Sequence, residues 1–221
     1  MRTIAIAMQK GGVGKSTLTR SLAVAAVEAG YNVLTLDMDA QQSTTQWAKR
    51  RQAQTPLVRF ATEIDLPQHL EQAESAGCDL VLIDTPPARS TEAPAAVEYA
   101  DLVLMPCSPD IEAYEQLPRT ARLARTTGKP AAAVLTLAQP NSRSEQEIAQ
   151  TIFAQLNVPM APAVIHRFKV HRDASREGQT AQEIEPGSKA AQEMQALWTW
   201  VCAEVQLPAS AQVQKRTKKK G

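Results

Sequence analysis

The chain of 221 residues is short of several things that would place it in other protein classes. It has three cysteines, Cys78, Cys107 and Cys202, odd in number and widely spaced. That excludes a disulfide framework and a zinc-ligand pattern, and each cysteine reads as a small buried hydrophobe. No apolar run, Ala131–Leu137 included, nears the roughly 20 residues that span a bilayer. The opening MRTIAIAM lacks the long apolar stretch and cleavage site of a secretory signal. These absences point to a cytoplasmic protein. There is no internal repeat and no interior domain boundary. Net charge is also nearly missing, with 24 basic against 23 acidic side chains. That balance hides an asymmetry, because Lys215, Arg216, Lys218, Lys219 and Lys220 crowd the last seven residues without an acid. Such a run reads as a flexible tail, 208–221, following a folded unit, 1–207, and can serve as an arm for polyanions.

What is present alternates. Short apolar runs read as strands at Thr3–Met8, Asn32–Asp37, Leu57–Ala61, Leu80–Asp84, Leu102–Met105, Ala131–Leu137 and Ala163–Ile165. Between them, helical patterns cover Lys15–Ala29, Ser43–Gln54 with Ser43 as N-cap, Leu66–Ala76, Ile111–Thr127, Ser144–Leu156 and Ser188–Val205. Gly30, Gly77 and Gly128 stand where helices stop. Strands apolar on both faces, alternating with helices, predict an α/β fold with a mostly parallel sheet between helical layers. The stripe Leu197, Trp198, Val201 and Val205 reads as packing onto that sheet.

The strongest motif is Lys10-Gly11-Gly12-Val13-Gly14-Lys15-Ser16-Thr17, placed after a strand and opening a helix. Glycines let backbone N–H groups converge on phosphate oxygens, and a helix N-terminus favours an anion. In such a loop Lys15 reaches the β- and γ-phosphates and the Ser16 hydroxyl ligates Mg²⁺. Asp37 and Asp39 follow the second strand at its C-terminal end, where ligands bind in open α/β sheets. Asp84 ends the strand LVLID ahead of Thr85-Pro86-Pro87, so it can hold Mg²⁺ through water, with the next loop a candidate γ-phosphate sensor.

The second lysine of the loop, Lys10, makes the sequence resemble the deviant Walker A ATPases of the P-loop NTPase fold. This group contains ParA-type DNA-partition proteins, MinD-type positioning proteins and nitrogenase iron-protein relatives. LDMDAQQS resembles the family's DxDPQ segment with Ala40 in place of proline, and EIEPGSKAAQEM resembles the short plasmid-type members. The resemblance implies ATP and Mg²⁺ as cofactors and a homodimer formed on ATP, in which Lys10 reaches the partner's phosphates. It implies that Asp39 orients the attacking water and that Asp37 supports the magnesium shell. In the family the loop after the last strand helps hold adenine, which places Arg167, Phe168 and Lys169 there, Phe168 being the candidate for the base.

No cysteine pattern for a cluster or a CxxC is present, and the tail VQKRTKKKG has no bulky apolar residue to insert into a membrane. Nucleic acid remains. Arg167, Lys169, Arg172 and Arg176 face only Asp173 across 166–176, and with the tail they are the candidates for sequence-blind, salt-sensitive phosphate contacts. The expected function is partition of DNA, with a plasmid as the expected cargo, by a nucleoid-associated ATPase that a ParB-like centromere-binding adaptor stimulates. With no extension before the first strand, an operator-binding helix-turn-helix domain is not expected. The alternative is a MinD-like positioning ATPase acting on protein cargo. A phosphoryl transferase of the dethiobiotin-synthetase type shares the loop but needs a substrate pocket that no motif marks.

Overall fold

A computed structural model describes residues 1–87 and 91–207. Its strands are β1 (Arg2–Ile6), β2 (Val33–Asp37), β3 (Leu57–Phe60), β4 (Leu80–Asp84), β5 (Leu102–Cys107), β6 (Ala131–Ala138) and β7 (Ile165–His166). They form one parallel sheet in the order β3-β2-β4-β1-β5-β6-β7. The helices are α1 (Lys15–Glu28), α2 (Ser43–Arg50), α3 (Leu66–Ser75), α4 (Glu92–Tyr99), α5 (Ile111–Thr126), α6 (Arg143–Gln155), α7 (Lys169–Arg176), α8 (Ala181–Ile184) and α9 (Lys189–Glu204).

Alternation along the strands builds two apolar layers. Ala5, Leu34, Leu36, Val81, Ile83 and Val103 face α3, α4, α5 and α6 on one side. Ile4, Ile6, Leu80, Leu82, Leu102 and Leu104 face α1 and α9 on the other, with Leu197, Trp198, Val201 and Val205 buried there as their spacing predicts. This is the expected α/β architecture with helices on both faces of the sheet.

Strand order positions the site. The chain runs outward from β1 to β2 and β3, returns to β4 beside β1, and resumes on β1's other side at β5. Asp84 of β4 pairs in register with Ile6 of β1 and with Asp37 of β2. The phosphate loop and both carboxylates therefore open at one level, above the switch point where open α/β sheets take ligands.

Several boundaries differ from the sequence reading. Helix α2 stops at Arg50, short of Gln54, because Arg51 turns extended and sends its side chain to Thr55 O, Gly178 O and Glu183. Ser43 lies inside α2, and the N-cap is Gln42 in the left-handed region without a side-chain cap; the carboxylate of Asp37 takes the Thr45 N–H instead. Helices α4, α7 and α8 were not expected. The last strand shrinks to two residues, beyond a register shift in β6 where Leu137 has φ +56°. Cys107 is fully buried as expected, whereas Cys78 and Cys202 are half-buried.

Candidate functional site

The phosphate loop takes its shape from its glycines. Gly12 and Gly14 have φ of +78° and +92°, a region that side-chain-bearing residues rarely adopt. A Cβ on Gly12 would meet no protein atom within 4 Å, so the backbone there faces open space. Gly14 caps α1 without any side-chain bond, which leaves the first-turn N–H groups free for an anion. Ser16 and Thr17, half-buried, open the helix, and Val13 is buried beneath the loop with its carbonyl accepting from Thr136 Oγ1 at 2.8 Å. Gly11 is exposed, and a Cβ added there would lie 3.7 Å from the Pro87 Cβ. Burial works to raise the pKa of the Asp110 carboxyl, but the Ser108 hydroxyl and the Ala113 N–H outweigh it, with the charge of half-buried Lys10 a smaller contribution in the same direction.

Lys15 is 7% exposed, and its ammonium donates to Lys10 O at 3.3 Å. Burial pulls its pKa down, against the charges of Asp84 and Asp39. A buried ammonium satisfied only by a carbonyl has donors left for an anionic ligand. Arg20, one turn further along α1, is the second buried cation; burial lowers its pKa while Asp84 and Asp37 oppose the shift.

Both strand-end carboxylates are buried, but they are used differently. Asp37 accepts from Asp39 N at 3.2 Å through Oδ1 and from Thr45 N at 2.7 Å through Oδ2. Burial raises its pKa, and those N–H groups oppose the rise. Its geometry is that of a brace for the β2–α2 turn. Asp84 accepts from Thr44 Oγ1 at 2.7 Å through Oδ2, while its buried Oδ1 has no hydrogen-bond partner. Burial pushes its pKa up to about 6; the Thr44 and Ser16 hydroxyls and Arg20 pull the other way, and Asp37 adds to the rise. A buried orphan oxygen at the loop's mouth suits a hydrated divalent ion, which keeps most of its own waters. No group of three or more His, Cys, Asp or Glu able to cage a metal occurs among the described residues. Asp39 is half-exposed past the strand end, where its carboxylate accepts Gln41 N at 2.9 Å. That turn forms without proline, since Gln42 N also reaches Asp39 O at 2.7 Å and Ala40 is exposed.

A cleft of about 870 Å³ opens beside the loop. Its walls include Gly14 and Thr17, the floor residues Thr136, Leu137 and Ile165, and Phe168 with α7 opposite. Phe168, the residue expected to meet the base, lines this cleft, and the His166 ring is tilted against it at 6.0 Å, its Nδ1 held 2.7 Å from Glu193 Oε1. Arg167, Lys169, Arg172 and Arg176 all line this cleft. The three on α7 converge on Asp173 at 3.4, 3.7 and 3.6 Å and remain largely exposed. His171 turns inward, burial lowers its pKa despite Glu193, and neither ring nitrogen has a partner. Lys215, Arg216, Lys218, Lys219 and Lys220 lie outside the described residues.

Residues 4–187 match the family model described as the CobQ/CobB/MinD/ParA nucleotide binding domain. The chain belongs to this family. A relative from Gloeobacter kilaueensis, "Maintenance of carboxysome distribution protein A", is 35% identical over 180 residues, covering 80% of this chain and 82% of that protein. The chromosome partitioning protein ParA of Caulobacter vibrioides is 28% identical over 216 residues, covering 76% and 81%. Among solved structures, the septum site-determining protein MinD of Pyrococcus horikoshii, complexed with Mg-ADP, superposes with a TM-score of 0.73 at 24% identity, covering 90% and 95%. The fold is thus that of P-loop NTPases, as the sequence resemblance implied.

Sequence reasoning missed the support around the site: Arg20, Thr44, Thr136, Ser175 and Glu193. One signal was legible. Arg20 is a charge set within LTRSLAVAA, a stretch of α1 that is otherwise buried and small or apolar.

Proposed function

We propose that this protein is a Mg²⁺-dependent ATPase that dimerises on ATP, holds DNA without sequence preference, and releases it after hydrolysis stimulated by a centromere-binding, ParB-like adaptor. What supports the reading is one juxtaposition: Asp84, whose buried Oδ1 has no partner, lies beside Lys15 and Ser16 of the phosphate loop, and the cleft beside that loop is walled by the basic helix α7. Backbone N–H groups of 11–17 cradle the phosphates, Lys15 reaches the β- and γ-oxygens, and Phe168 packs on the adenine. Ser16 and Asp84 would hold magnesium, and the ion would offset charge developing on the transferred phosphoryl. Asp37 serves by fixing the loop that carries Asp39, and Asp39 orients water. Lys10 supplies its ammonium to a second copy's nucleotide, which ties turnover to pairing. Arg167, Lys169, Arg172 and Arg176, together with the tail, meet DNA phosphates, and the location proposed with them is the nucleoid in the cytoplasm.

Co-sedimentation with long duplex DNA tests this. Retention is expected with ATP and magnesium and not with ADP; nucleotide-independent retention overturns the reading. The name of the Gloeobacter relative favours a second reading, in which the same dimer distributes a protein body. Charge reversal at Arg167, Lys169 and Arg172 separates the two. Loss of DNA retention supports partition, and indifference supports a protein-cargo adaptor.

A further inference from the structure

Arg20 is 8% exposed, and its guanidinium forms no ion pair within 4.0 Å among the described residues. A buried cation without a directly paired carboxylate is expensive, and an apolar side chain would pack this helix more cheaply. Its contacts are specific instead. Nε donates to Thr44 Oγ1 at 3.1 Å, and a terminal nitrogen donates to Ser175 Oγ at 2.9 Å. The Thr44 hydroxyl has a single proton and the guanidinium can only donate, so Thr44 must accept from Arg20 and give its proton to Asp84. That fixed polarity occupies Oδ2 and leaves Oδ1 as the unpartnered oxygen of a carboxylate that lies beside Ser16 and Lys15 of the phosphate loop.

Helix α2 makes the same connection a second time. Its N-terminal turn carries Thr44, while near its other end Trp47 Nε1 donates to Gln179 O at 3.0 Å and Arg50 to Ser175 O at 3.2 Å. Arg51, stacked 4.8 Å over the Trp47 ring, binds Gly178 O and both oxygens of Glu183. Asp84, Thr44, Arg20, α2 and the end of α7 are therefore one bonded unit.

We propose that Thr44 and Arg20 are positioning residues that lock the orientation of Asp84 to the placement of α7, so that seating a magnesium nucleotide and setting the basic helix are a single event. This rests on the reading that Asp84 faces magnesium. The ligand is a magnesium nucleoside diphosphate or triphosphate at one end and a polyanion surface at the other.

Two measurements test it on the full chain. The first is affinity for a fluorescent ADP with magnesium and with EDTA. Thr44→Val should reduce the magnesium-dependent gain roughly tenfold, since one charge-assisted hydrogen bond is lost, with EDTA affinity little changed. Thr44→Ser, which keeps the hydroxyl, should restore it. The second is hydrogen exchange at the α7 amides, Lys169–Arg176. Magnesium ADP should slow exchange there in the wild type, and this response should vanish in Thr44→Val and in Ser175→Ala. If Thr44→Val fails to fold by circular dichroism, Ser175→Ala carries the test, because Ser175 is only half-buried. A wild-type magnesium gain that survives Thr44→Val, or α7 amides that respond alike in Ser175→Ala and wild type, overturns the proposal. A wild type with no magnesium gain overturns the underlying reading of Asp84. Failure of DNA retention alone leaves both measurements standing and counts only against the DNA-binding function.

Discussion

On the β1–β2–β4 side of the cleft, two cations, Lys15 and Arg20, and two carboxylates, Asp37 and Asp84, are all buried. On the β6–β7 side, Lys169, Arg172 and Arg176 stand in water around the single acid Asp173, their side chains 77%, 68% and 69% exposed. The first arrangement fixes charge in a medium where it acts strongly and where every unpaired atom is a demand for a ligand. The second supplies charge that salt screens and that any phosphate can meet. One half of the site selects and the other attracts.

The sharpest way to break the comparison is on the buried side. Lys15→Ala should weaken nucleotide binding by at least about 100-fold in calorimetry, because it removes charge-assisted bonds to phosphate. Without nucleotide, its melting temperature should not fall, since that ammonium is a buried cation held by a carbonyl. Next comes the joint between the halves. Gly178 has φ +68°, and a Cβ there would sit 2.5 Å from Arg51 N and 2.6 Å from Arg50 C. Gly178→Ala should therefore destabilise by about 3 kcal/mol in urea denaturation, combining backbone strain with a clash against backbone.

A smaller effect is expected at Glu183. Burial raises its pKa, but the Arg51 bond and charge and the Thr180 N–H outweigh this, leaving the carboxyl below its ordinary range. A pKa depressed by folding contributes stability above the unfolded value near about 4.3, lost as pH falls through the folded one. Glu183→Gln should cost about 2 kcal/mol at pH 7, and the gap from wild type should close toward pH 3. Smallest is Arg172→Ala on the exposed side. It should lower DNA affinity a few-fold and cut the salt slope of binding by about one, independent of sequence. A loss confined to certain sequences would contradict a phosphate-only role.

The phosphate half was legible because its chemistry is contiguous: KGGVGKST carries its own glycines, ammonium and hydroxyl in eight residues. Asp84 was legible from the apolar strand that ends in it. The other half was only partly so. KVHRDASR is polar almost throughout and buries only Ala174, so no apolar stripe announced α7. Helix α4 hid behind Pro94, which is tolerated because it stands in the first turn, where N–H groups lack partners anyway. Arg20, Thr44 and Ser175 meet across 24 and 155 positions of chain, a closeness that tertiary packing alone creates. The same holds for Asp37. The family resemblance implied that it supports the magnesium shell, while the two N–H groups its oxygens accept, from Asp39 and Thr45, belong to the folded β2–α2 turn.

Leu137, the left-handed residue at the bulge of β6, has a practical corollary. A leucine at φ +56° is strained, and it contributes apolar floor to the cleft. Asparagine would accept that backbone more readily. A screen for heat tolerance would thus reward Leu137→Asn, and its winners would give up apolar surface in the cleft: durability and the lining of the cleft are set against each other at a single torsion angle.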